Sequence, residues 1–247
     1  MKETSCKAVR RSYLARRAAD ARVEWLEKGQ EVTPWRVKKS GNFIIGQLRS
    51  DEFDVFERSD RILQDFANVQ PDPKDILRFT KRYGVVRQSH LDLLEPPDER
   101  PIPTGKFFIP CERWLLDQNR FRDYWRLGKT QREELAKQMS AELGLVDRSI
   151  GPVVELQVVP GARTLELELQ PGDLWQALCL MLIGFVDRLR VCQNETCTSS
   201  PYFIATRRDQ KYCDEKCSRL VANRRWWGRR GDQWRRDHVA KKEKTKS

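Results

Sequence analysis

The feature that most limits what this chain can become is a set of four cysteines within 26 residues: Cys192, Cys197, Cys213 and Cys217. Four residues separate the first pair, three the second, and fifteen lie between the pairs. Two close pairs suit one tetrahedral ion, and zinc takes four thiolates at about 2.3 Å. A short knuckle can aim the first two sulfurs at one point. The second pair, four positions apart, brings its sulfurs to one side of a first helical turn, where free backbone N–H groups favour thiolate. Between the pairs, Tyr202 to Thr206, a turn at Arg207-Arg208-Asp209-Gln210 and the approach through Lys211-Tyr212 predict a small hairpin. The pattern is that of a treble-clef-like finger. Four protein sulfurs leave no open position for water or substrate, so the predicted Zn2+ is single and structural. Its binding becomes folding free energy in a module of roughly 30 residues, too small to bury a large core.

Cys6, Cys111 and Cys179 bring the total to seven. An odd count behind a start that lacks a secretion signature predicts a reducing, cytoplasmic setting. The longest apolar stretch, Leu174 to Phe185, falls short of the ~18 residues of a spanning helix and reads as a buried one. Hydrophobic residues make up 39% of the 247 and charged residues 34%, with 8 Trp and 10 Phe to fill a core. That composition excludes a collagen, a membrane protein and a wholly disordered chain. The charge is uneven. Residues 191–247 hold 15 Lys or Arg against 7 Asp or Glu, whereas the preceding 190 are almost balanced within a total of +11. A boundary near residue 190 therefore separates a balanced body from a basic module suited to a polyanion.

The predicted organisation is α+β: a helical body with short antiparallel strands, then the finger with its basic helix. Residues 1–39 read as an amino-terminal helical segment, with Ala8, Leu14, Ala18, Val23 and Trp25 spaced through charge and Pro34 ending the region. In the body, 40–190, two short strands are predicted at 42–48 and 51–57. Helices follow from Ser59-Asp60 to about Val69 and from Pro71-Asp72-Pro73 to Gly84. Five prolines make 95–110 a loop. Helices at Glu112–Leu127 and Gln131–Leu143 come next, split by Gly128. A hairpin pairs Val154–Val158 with Leu165–Leu169 through Pro160-Gly161. An apolar helix runs from Leu174 to about Arg190. The finger occupies 191–236, and 237–247 is a disordered basic tail.

From Leu174 to Trp227 the chain resembles the bacterial CGNR zinc-finger proteins. Leu189-Arg190-Val191-Cys192 matches the junction between their apolar helix and first cysteine, and Tyr202-Phe203-Ile204 their aromatic-aliphatic strand. Arg207-Arg208 matches the basic turn, and Cys213 with Cys217 the pair that opens a basic helix. Ile76 to Gly84 is similar to a helix-ending motif in the amino-terminal domain of the same proteins. After Cys217 the sequence reads Ser218-Arg219-Leu220 in place of the family's Gly-Asn-Arg. The resemblance implies a DNA-binding, stress-induced transcription regulator.

Beyond Cys217 the arginines interleave with Trp226, Trp227 and Trp234. Leu220, Trp227 and Trp234 recur every seven residues and are predicted to pack on the knuckle or the body. Gly228 and Gly231 each cost a helix about 1 kcal/mol, so its secure part is predicted over Glu215–Trp227. Arg207, Arg208, Lys211, Arg219, Arg224 and Arg225 are the candidate nucleic-acid contacts, since guanidinium holds phosphate and reads guanine edges. Trp226 could stack on an unpaired base. His90 and His238, the only histidines, sit in no catalytic setting, and no phosphate-cradling glycine motif occurs, so no enzyme is predicted. The expected partner is DNA, with RNA or a single strand as variants. Self-association and a small effector of the body are left open, and no membrane partner is expected. The alternative is an interaction protein in which zinc only fastens the chain end.

Overall fold

The computed structural model describes residues 10–11, 14–32, 35–87, 94–95, 106–130, 134–135, 137–138, 154–158 and 167–244. Helix and largely antiparallel sheet combine in an α+β architecture, and contacts divide the chain into two units, Met1–Asp187 and Arg188–Ser247. The sequence places its boundary near residue 190, on charge alone.

The body is organised by a sheet of β2 (Leu14–Leu26), β5 (Gly41–Asp54) and β7 (Lys106–Pro110), with β5 central and both neighbours antiparallel to it. The helix predicted in the amino-terminal segment is thus a strand, and the reason is local. The β2–β5 register slips between Arg16 and Ala18 and again between Ala19 and Arg22, with Asp20 at φ 48° inside the second slip. The first slip sets two steps of β2 against four of β5 and the second three of β2 against two of β5, and across them Ala15, Ala18 and Ala21 turn inward at intervals of three and imitate a helical period. Leu14 and Trp25, assigned to the helix face, are exposed.

Two short strands predicted between 42 and 57 are one long strand, β5, followed by a single 3-10 turn at Val55–Arg58 capped by Asp54. The sheet also reaches into the proline-rich stretch read as loop. There β7 pairs Phe107, Phe108 and Ile109 with Gly46, Ile45 and Ile44. Pro110 is tolerated because it ends an edge strand, where one missing N–H costs little. Gly46 lets β5 pass beneath its neighbours, since a Cβ there would sit 2.7 Å from the Phe107 ring and 2.9 Å from Ala21 Cβ.

Helices α1 (Ser59–Asn68), α2 (Pro73–Tyr83), α3 (Cys111–Thr130) and α4 (Leu174–Gly184) complete the body. α2 starts and stops as its sequence predicts: the Asp72 side chain accepts from Lys74 N at 2.8 Å, and Gly84, at φ 87°, donates to Thr80 O. α3 passes through Gly128. The helix predicted over 131–143 falls largely outside the described residues. α4 is capped by Asp173 and ends six residues before its predicted stop, because Leu189–Arg190 belong to a strand. Phe66 is the hub of the core, with Phe79, Trp114, Phe121 and Trp175 around it at centroid distances of 5.4, 5.1, 5.0 and 6.4 Å.

Short strands form the remaining body sheets. β3 (Glu31–Val32), β4 (Trp35–Val37) and β6 (Leu94–Glu95) make one. β1 (Arg10–Arg11) runs parallel to β9 (Leu167–Pro171), which pairs antiparallel with β8 (Val154–Val158). This is the predicted hairpin, shifted so that Val158 faces Leu167; its Pro160-Gly161 turn lies outside the described residues.

The second unit holds β10 (Leu189–Val191), β11 (Tyr202–Ile204) and α5 (Glu215–Lys244). β11 does not fold onto Lys211-Tyr212 as predicted. It pairs antiparallel with β10, so the hairpin encloses the first cysteine pair. α5 continues through Gly228 and Gly231 and through most of the tail predicted to be disordered, to Lys244. Among the described residues no helix is long and apolar enough to cross a membrane.

Candidate metal centre

The β10–β11 hairpin delivers Cys192 at the end of its first strand, where Cys192 N donates to Pro201 O at 2.7 Å. The knuckle turns back through Asn194, whose carbonyl accepts from Cys197 N at 2.9 Å. Gln193 N donates to Lys211 O at 3.0 Å and so ties the knuckle to the segment arriving at Cys213. Asp214 then caps α5, accepting from Cys217 N at 2.7 Å, which fixes Cys213 just before the helix and Cys217 in its first turn.

All four sulfurs lie within 4.8 Å of one another. Cys197 Sγ is 3.5 Å from Cys213 Sγ, which is 3.6 Å from Cys217 Sγ. Sulfurs placed 2.3 Å from a tetrahedral centre stand about 3.8 Å apart, so the donors are spaced for one metal ion. They are much farther apart than the ~2.05 Å of a disulfide, and the thiols are free.

The electrostatics agree with a cation site. Burial opposes the Cys197 thiolate, yet contacts from the Ser200 backbone and from the Cys213 and Cys217 thiols bring its pKa below the ordinary thiol value. Burial and contacts with the Cys197, Cys217 and Cys192 thiols push Cys213 up. Cys217 is also raised, although the Asn194 amide, donating to its sulfur at 3.3 Å, pulls the other way. Four crowded thiols cannot all ionise on their own; a divalent cation removes that conflict and deprotonates them together. Cys111 shows the contrast. Burial alone pushes it up to about 11, and it shares no cluster of possible ligands among the described residues.

Around the sulfurs, Phe203 and Ala205 form a small buried cluster with Cys192 and Cys217, and Tyr212, Cys197 and Cys213 pack against it. Asn194 is the residue of this candidate site that sequence reasoning missed. It is buried, donates to the Cys217 sulfur, and its carboxamide oxygen accepts from Thr196 Oγ1 at 3.1 Å. Its position inside the knuckle was the available signal.

The six predicted nucleic-acid contacts separate into three settings. Arg207, 3.9 Å from the Asp209 carboxylate, and Lys211 line a cleft of about 330 Å³ together with Asp209, Gln210, Tyr212, Asp214, Glu215 and Ser218. At about 100° per residue, Ser218, Arg225, Arg229 and Arg236 follow one line along α5, so Arg225 continues from this cleft. Arg208 is exposed on the same turn. Arg219 lies on another side and pairs with Glu215. Arg224 shares the face of Cys217 and Val221 and donates to Thr196 Oγ1 at 3.0 Å, bracing the helix on the knuckle. Among the described residues, no side-chain partner engages Arg208, Lys211, Arg225 or Arg230.

The tryptophans are not core. Trp226, Trp227 and Trp234 are 38%, 46% and 41% exposed, and Leu220 is 54% exposed, contrary to the predicted packing. His238 lies on α5 and His90 outside the described residues. No protein-family model matches the chain, and no curated protein matches its sequence.

Proposed function

We propose that the second unit is a zinc finger holding one structural Zn2+ on Cys192, Cys197, Cys213 and Cys217, and that the protein binds duplex DNA through it. The observation that carries this reading is a four-sulfur site in the same unit as Arg208, Lys211 and Arg225, whose side chains have no partner among the described residues. The hairpin, knuckle and capped helix follow the order of a treble-clef finger. The metal would fix the angle between turn and helix, so that their guanidinium and ammonium groups meet one phosphate backbone. Resemblance to the CGNR proteins over 174–227 supports the same reading and extends it to a bacterial transcription regulator. No catalytic step is assigned, because four protein sulfurs leave zinc no site for water.

Retardation of a short duplex by the zinc-loaded full chain tests the proposal. Affinity should fall with salt at a log–log slope of about −4 if four to five phosphates are neutralised. Chelation, or Arg208→Glu with Arg225→Glu, should abolish retardation. No retardation at any salt by the zinc-loaded chain would instead favour an interaction protein whose zinc only fastens the chain end.

A further inference from the structure

The exposed tryptophans of α5 form an ordered array. The Trp227 ring stands edge-to-face with Trp226 at 4.9 Å and with Trp234 at 5.3 Å. Its six-membered ring lies over Gly231, where a Cβ would come within 2.8 Å of it. A glycine that weakens the helix thus makes room for an indole against the backbone. Leu220, Trp227 and Trp234 fall within about 40° of one another around the axis, with Trp226 farther round. Large aromatic surfaces left in water, yet held by one another in fixed positions, are suited to recognition.

Charge and pattern select the occupant. Between Glu215 and Arg236 the helix carries eight Lys or Arg and two acidic residues, so a second copy of the same helix would bring like charges together. Arg224 and Arg230 flank the Leu220–Trp227–Trp234 line, and Arg230 falls between that line and Trp226, so guanidinium groups interrupt the continuous apolar face that a helix buries in an apolar surface. An aromatic shelf edged by guanidinium groups matches a strand of phosphates that also offers unpaired bases, since bases stack on indoles while the backbone meets the cations. Duplex DNA keeps its base faces stacked internally and cannot use the shelf.

We infer that the Trp226–Trp227–Trp234 face of α5 binds single-stranded DNA by base stacking. This rests on the DNA-binding reading and adds a second surface to it: the cations leading from Arg207 and Lys211 to Arg225 take duplex phosphates, while the tryptophan line takes bases in locally opened DNA.

The test uses the zinc-loaded full chain and fluorescence anisotropy with an oligo(dT), a duplex of equal length, an oligo(rU), and phosphatidylserine vesicles as competitor. Trp227→Ala and Trp234→Ala should each weaken oligo(dT) binding about ten-fold and change duplex binding by less than about two-fold. Trp227→Phe should restore most of the loss. Zinc content and helical circular dichroism, unchanged in the variants, show that the fold is kept. The inference is overturned if the alanine variants bind oligo(dT) like the parent or lose duplex equally. Binding of oligo(rU) as tight as oligo(dT), displacement of oligo(dT) by the vesicles, or a change of oligomeric state in Trp234→Ala would overturn it too. Failure on oligo(dT) with duplex binding intact removes only this surface; failure on both removes the DNA-binding reading with it.

Discussion

The body and the cysteine module reach a defined fold by different means. In the body, Phe66 is fully buried within a cage of four aromatic rings, and Trp114, Trp125 and Trp175 are each about 1% exposed. Order there comes from apolar area removed from water, on the order of 25 cal/mol per Å². The second unit buries only short strands and a few side chains, and its small cluster is built on the cysteines themselves. Where area is scarce, the proposed zinc–thiolate bonds would supply the cohesion. The body should therefore respond to cavities, and the module to chemistry at sulfur.

Removing the proposed Zn2+ is the strongest way to break this contrast. Structural zinc contributes about 10–16 kcal/mol in comparable small modules. Chelation, or Cys217→Ser, should erase amide exchange protection over residues 189–221 while leaving α1–α4 protected. Hydrogen-exchange mass spectrometry separates the two units peptide by peptide. Equal loss of protection in both would show that the body also depends on the ion.

The converse experiment is smaller in free energy. Phe66→Ala removes the ring on which four others converge and should cost the body about 3–5 kcal/mol. Urea denaturation followed by near-ultraviolet circular dichroism gives the loss, while metal content measured by atomic absorption should stay at one ion per chain. A drop in metal content would join what the contrast keeps apart.

How far each part could be read beforehand follows the same division. The cysteine cluster was legible because metal coordination is a short-range constraint written as spacing, and α2 was legible because Asp72, Pro73 and Gly84 are local signals. β2 was not. Its buried alanines recur every third residue only because the strand slips twice against β5, a fact of pairing with residues some thirty positions away. The β10–β11 pairing was hidden for a similar reason: turn residues at 207–210 suggested a local hairpin, whereas β11 finds its partner across the knuckle. The tryptophans misled in the opposite sense. Their size argues for burial, but on α5 they stand exposed and edge-to-face with one another.

Asn194 sharpens the comparison at the level of one hydrogen bond. Its amide reaches Cys217 Sγ at 3.3 Å and its oxygen holds Thr196, so it orients a candidate ligand without being one. Asn194→Ala should weaken metal binding about 10- to 100-fold, the usual cost of losing such support, with the site still formed at saturating metal. Competition with a chromophoric chelator measures this. An unchanged affinity would mean that the thiolates orient themselves.

The smallest effect separates the two glycines of α5. A Cβ at Gly228 would meet nothing within 4 Å, so Gly228→Ala should gain the full helix propensity of alanine, about 1 kcal/mol, and raise helical circular dichroism on heating. Gly231→Ala makes the same backbone change but places its methyl 2.8 Å from the Trp227 ring, which must swing away from both neighbouring indoles. The propensity gain is then offset by lost aromatic contacts of about 0.5–1.5 kcal/mol each, so this variant should be no more helical than the parent. Tryptophan emission should shift in Gly231→Ala alone. If both substitutions stabilise α5 alike and neither moves the emission, the indole array is not held by the helix it stands on, and α5 past Val221 is ordered by backbone propensity and its Asp232–Arg235 pair.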